Sequence, residues 1–133
     1  MIKIIVLPSK IKAMNTENLY ITVKSINELE QILQNYQIVI VYFSHQNCNV
    51  CKVLKPKVAN LLKEYFPKAK MVYADTVENP DIAGQNRIFA VPTIVGFIEG
   101  KEFFRKSRSI GLNELAAVIE RPYNILFSEV VEV

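Results

Sequence analysis

Six consecutive apolar residues, Ile38-Val39-Ile40-Val41-Tyr42-Phe43, constrain the fold more than any other stretch of this chain. A strand exposed on one face alternates apolar and polar side chains, whereas one covered on both faces is apolar throughout and rich in β-branched residues. The second pattern is the one present, so the chain must place a layer on each side of a central strand that ends near Ser44. At 133 residues it has material for one core of that kind.

The flanking segments supply the layers. Tyr20-Ile21-Thr22-Val23 reads as a strand, and Ser25-Ile26-Asn27-Glu28 has the spacing of a capping box opening a helix that runs to about Asn35. Further on, Leu54, Val58, Leu61, Leu62 and Tyr65 recur at helical spacing, with Lys52, Lys55, Lys57 and Lys63 mostly on the other side. Pro56 falls inside this helix and predicts a kink. Met71 to Ala74 is a strand, and Asn79-Pro80 supplies a cap and a first-turn proline for a short helix. Thr93 to Ile98 and Glu102 to Lys106 are antiparallel strands joined through Glu99-Gly100-Lys101, where Gly100 takes the positive φ of a tight hairpin. A closing helix from Leu112 to Glu120 buries Leu112, Leu115, Ala116 and Ile119.

The order βαβαβαββα requires a mixed central sheet with helices on both faces, an α/β fold. This unit spans residues 20–120. Outside it lie an N-terminal extension, 1–19, whose opening Met1 to Pro8 is strand-like, and a C-terminal tail, 121–133. An extra edge strand, a cover over the sheet or a homodimer contact would each bury their apolar residues.

Composition excludes several classes of function. The net charge of +3, from 16 Lys and Arg against 13 Asp and Glu spread along the chain, is too mild for a nucleic-acid partner. The opening apolar run is shorter than a signal-peptide core and lacks a small-residue cleavage pattern. No other run approaches the roughly 20 residues of a membrane span. The expectation is a soluble, cytoplasmic protein.

Only two cysteines occur, Cys48 and Cys51, where the buried strand turns into the amphipathic helix. A pair so close closes too short a loop to be a useful structural staple, because little unfolded-state entropy is removed. A zinc site normally needs four ligands, and His45 is the only further soft one. Thiol chemistry remains. The unpartnered N–H groups at a helix start favour a thiolate, so Cys48 reads as the attacking sulfur, and Cys51, one turn on, as the sulfur that resolves the mixed disulfide. Neither step calls for a cofactor or metal. His45, three residues before Cys48, reads either as a solvent-exposed loop histidine, the preferred reading, or as a side chain that stabilises that thiolate in its charged form.

The strand Val39 to Phe43 leading into C-x-x-C, Lys52, Pro56, Asn79-Pro80, Val91-Pro92-Thr93 and Phe97 to Gly100 together resemble the thioredoxin family from about Tyr20 to Glu120. The resemblance implies the thioredoxin fold. It also implies a cis Pro92 facing the cysteines, and a substrate lying against Asn49, Val50 and the backbone of Val91 in strand-addition mode. Three departures mark this chain. The family's Trp-Cys-Gly-Pro-Cys is Asn47-Cys48-Asn49-Val50-Cys51, its buried acid six residues before the first cysteine is Tyr42, and its groove glycine is Arg108, which narrows the groove or meets an acidic partner. A phenol, with a reference pKa of about 10, is a poor base at neutral pH.

The sequence thus points to a dithiol oxidoreductase acting on protein disulfides and recharged, as the resemblance implies, by a flavoprotein thioredoxin reductase. The alternative is a thioredoxin-fold binding module or redox sensor with little turnover.

Overall fold

The computed structural model describes residues 19–127. Its elements run β1 (Ile21–Val23), α1 (Ile26–Asn35), β2 (Ile38–Ser44), α2 (Asn49–Tyr65), β3 (Lys70–Asp75), α3 (Pro80–Gln85), β4 (Thr93–Ile98), β5 (Lys101–Ser107) and α4 (Leu112–Phe127). The five strands form one mixed sheet in the order β1-β3-β2-β4-β5. The crossover-linked pairs β1·β3 and β2·β3 are parallel, while β2·β4 and β4·β5 are antiparallel.

β2 lies at the centre and is buried along its whole length. Its alternation divides the core in two: Ile38, Ile40 and Tyr42 face a cluster with Val58, Leu62, Leu115 and Ile119 from α2 and α4. Val39, Val41 and Phe43 face the other, with Leu29 of α1 and Ile82 of α3. This is why no polar residue interrupts the run, since period-two side chains meet apolar layers on both faces.

Local signals hold with some shifts. The Ser25 hydroxyl accepts from the Glu28 N–H at 3.1 Å, while the Glu28 carboxylate accepts from the Lys24 N–H at 2.7 Å, one residue before the usual capping-box partner. The hairpin closes with Ile98 opposite Lys101, and both turn residues take positive φ, Glu99 (50°) as well as Gly100 (82°). That is the type I′ pattern, matched to the twist of the flanking strands.

Three expectations are corrected. Asn79 stands at the N-cap of α3, but its side chain makes no cap bond; its amide donates to the Asp75 carbonyl at 3.1 Å. The first-turn Ile82 N–H is taken by the Asp81 carboxylate, while the Asp75 carboxylate, at the buried end of β3, accepts from the Val77 and Glu78 N–H groups and folds the turn that leads into α3. On α2 the buried stripe ends on Phe66, and Tyr65 is exposed. Pro56 lies inside α2, where the sequence places it.

The closing helix passes Glu120 and even Pro122, reaching Phe127. A proline there sacrifices one helical hydrogen bond, and tertiary contacts offset it. Tyr123 packs edge-on against Phe66 and at a tilt against Phe127, with ring centroids 5.1 and 4.8 Å apart, and its hydroxyl accepts from the Lys68 N–H at 3.0 Å. Part of the expected tail thus belongs to the core. The strand-like opening at Met1 to Pro8 and residues 128–133 lie outside the described residues.

Candidate active site

The C-terminal end of β2 and the start of β4 share one edge of the fold, because Phe43 pairs with Thr93. The Cys48 loop leaves from the first and Pro92 precedes the second, so topology alone brings the two motifs together. Cys48 is the N-cap of α2 and is joined to Cys51 by a disulfide. The Cys48 sulfur accepts from the Cys51 N–H at 3.2 Å, one of the helix-start donors that lack a helical partner. That sulfur is half-buried, whereas Cys51 is only 1% exposed.

Beneath the pair, Tyr42 is fully buried and its hydroxyl donates to the Cys51 carbonyl at 2.9 Å. Burial, and secondarily the neighbouring Tyr73 phenol, push the Tyr42 pKa far above the usual phenol range. It is a neutral hydrogen-bond donor, not a base. The Tyr73 pKa is likewise raised, chiefly by burial, and its ring lies under the Lys55 ammonium at 3.8 Å.

His45 sits in the turn before Cys48. Its Nδ1 accepts from the Asn47 N–H at 3.2 Å, and its carbonyl accepts from the Cys48 N–H at 3.3 Å. This contact braces the turn that leads into Cys48.

The Val91–Pro92 peptide is cis. Val91 packs, half-buried, against the same cluster as Cys48 and Cys51. The preceding loop is anchored by the Thr93 hydroxyl, which donates to the Ala90 carbonyl at 2.6 Å and shares a hydrogen with Ser107 at 2.9 Å. The Pro92 carbonyl accepts from the Arg108 N–H at 2.8 Å, and Arg108 takes φ 67°. That conformation costs a non-glycine residue about 1 kcal/mol, so a tertiary constraint holds Arg108 there.

Asn49 and Val50 face solvent, and Val50 is 64% exposed. They form one wall of a groove of about 560 Å³ completed by Val53, Lys57, Arg108 and Ile110. A second groove, about 430 Å³, lies on the other side of Arg108 and is lined by Phe89, Ala90 and Thr93 among others. Val53, Ile110 and Phe89 were not singled out by sequence reasoning. Val53 carried one usable signal, its i, i+3 spacing from Val50 off the buried stripe of α2.

Comparison with known proteins fits this geometry. The family model described as Thioredoxin matches residues 20–121. The chain belongs to the thioredoxin family. It is 27% identical over 105 residues to the thioredoxin-like protein YdfQ of Bacillus subtilis, covering 79% of this chain and 93% of that one. It is 29% identical over 110 residues to mitochondrial thioredoxin-3 of Saccharomyces cerevisiae, covering 80% of this chain and 83% of the relative. A mutant thioredoxin from Halobacterium salinarum superposes with a TM-score of 0.70 at 25% identity, covering 75% of this chain and 87% of that one. Thioredoxin-family membership together with the C-x-x-C pair makes this chain a thiol–disulfide oxidoreductase in general terms. Among the described residues, no helix is long and apolar enough to cross a membrane.

Proposed function

We propose that this thioredoxin-family protein reduces disulfides of other proteins, with Cys48 as the attacking sulfur and Cys51 as the resolving one. The observation that carries the reading is the asymmetry of the pair, with Cys48 half-buried at the start of α2 and Cys51 enclosed. A target disulfide has access to the first sulfur alone.

In the reduced protein, the Cys48 thiolate attacks one sulfur of the target, forming an intermolecular disulfide and releasing the other target sulfur as a thiolate. Cys51 then loses its proton, attacks the Cys48 sulfur and releases the second target thiolate. Two electrons leave the dithiol, and the protein is left with the Cys48–Cys51 disulfide. A reductant must restore the dithiol; the reading assigns this to a flavoprotein thioredoxin reductase, in a cytoplasm that keeps its thiols reduced.

A second reading, a binding module or redox sensor with little turnover, is favoured by one observation. The side chain bonded at Cys51 is a neutral phenol, which does not take up a thiol proton at neutral pH.

The test is trapping with purified variants. Reduced Cys51→Ser, mixed with a disulfide-containing protein, should accumulate a stable mixed disulfide through Cys48, and Cys48→Ser should accumulate none. Equal trapping on both variants would overturn the assignment of roles.

A further inference from the structure

The two grooves flanking Arg108 differ in charge from the rest of the molecule. Over the whole chain, 16 basic residues face 13 acidic ones. Yet the two groove walls carry Lys57, Arg87, Arg105 and Arg108 and not one Asp or Glu. Arg105 is engaged by Glu102 at 2.9 Å and by the Asn86 carbonyl at 3.0 Å. Lys57, Arg87 and Arg108 are exposed, and no salt bridge engages them among the described residues. By contrast, the surface hollow at the opposite end of the sheet is lined by Glu30 and Glu99.

Between these cations lie exposed apolar side chains: Val50 and Val53 on one side of Arg108, Phe89 on the other, the last 89% exposed. The N–H bond to the Pro92 carbonyl ties the Arg108 backbone to the cis-proline loop, and Arg108 lines both grooves, one of which is walled by Asn49 and Val50, the residues that follow Cys48.

We propose that Arg108, with Lys57 and Arg87, selects target segments that carry an apolar residue beside the disulfide cysteine and acidic residues flanking it. This rests on the exchange reading above and adds its substrate class. Cations beside an apolar strip reward an acidic segment twice, by faster encounter and by contact, and penalise a basic one. The attraction is screened at high salt.

The test uses two synthetic peptides with the same Leu-Cys core, each disulfide-linked to the same neutral fluorescent thiol, one flanked by Glu and the other by Lys. For each protein the ratio of their second-order reduction rates is taken, which cancels any general change at Cys48. The wild type should favour the Glu peptide about tenfold at low salt and much less in molar salt. Arg108→Gly, whose glycine suits the positive φ, should cut the ratio severalfold, and Arg108→Glu with Lys57→Glu should invert it. A wild-type ratio within twofold of unity, or one that the double variant leaves unchanged, overturns the proposal.

Failure of the exchange reading is recognised separately, as loss of Cys48-dependent reduction of neutral bis(2-hydroxyethyl) disulfide. In that event the same peptides, with serine for cysteine, still test the surface by fluorescence anisotropy. Tighter binding of the Glu peptide supports it, and equal binding overturns it.

Discussion

The Tyr42 hydroxyl donates to the Cys51 carbonyl at 2.9 Å, tying the central strand to the first turn of the helix that carries both cysteines. Burial, then the neighbouring Tyr73, hold that phenol neutral well beyond its usual range.

Tyr42→Phe should therefore lower stability by about 1 kcal/mol near neutral pH, the worth of one neutral hydrogen bond, measured by urea unfolding. The sign with pH follows from the raised pKa. The folded state keeps the phenol protonated while the unfolded chain ionises it, so this stabilising contribution is complete below about pH 10 and falls away above it. Unfolding curves at rising alkaline pH should show a shallower loss in Tyr42→Phe than in the wild type.

Arg105 fastens β5 to the segment after α3, pairing with Glu102 while donating to the Asn86 and Arg87 carbonyls. The hydrogen bond from Arg105 lowers the Glu102 pKa. A depressed carboxylate stabilises the fold above its unfolded pKa of about 4.3, and that contribution is lost as pH falls through the folded value. Because both partners are partly exposed, Glu102→Gln should cost only about 0.5 kcal/mol at pH 7 and nothing near pH 3. Arg105→Ala, which also strips two carbonyl contacts, should cost more at both pH values in thermal unfolding.

Gly96 lies opposite Phe104 where the β4·β5 register shifts. A Cβ there would overlap the Phe104 ring and lie 2.8 Å from the Phe103 Cε1. The two rings meet edge-to-face with centroids 5.0 Å apart, so a shift of one disturbs the other. Gly96→Ala should thus destabilise by about 1–3 kcal/mol, the usual result of overpacking, read as a lowered melting temperature.

Where neighbouring residues carry the signal, the sequence was readable. The run from Ile38 to Phe43 declared a strand covered on both faces, the hairpin declared itself through Gly100, and the strand-to-helix junction marked where Cys48 and Cys51 sit at the start of α2. What escaped depends on residues distant in sequence. Pro122 is a local stop signal, overridden because Tyr123 meets Phe66 and the Lys68 N–H. The cap expected at Asn79 is missing because its side chain turns back to the Asp75 carbonyl while the Asp81 carboxylate takes the Ile82 N–H. The contact of the His45 Nδ1 with the Asn47 N–H is a feature of the turn's own geometry, which residue spacing does not show. The groove walls at Ile110 and Phe89 come from loops that only the tertiary fold sets on grooves shared with Arg108.

The decisive experiment for the exchange reading is reduction of insulin disulfides driven by dithiothreitol, comparing the wild type with Cys48→Ser at equal concentration and neutral pH. Turnover well above the uncatalysed background in the wild type, and its loss in the variant, is the expected result. A wild type no faster than Cys48→Ser would contradict the exchange reading and leave the fold serving a dedicated binding or sensing role.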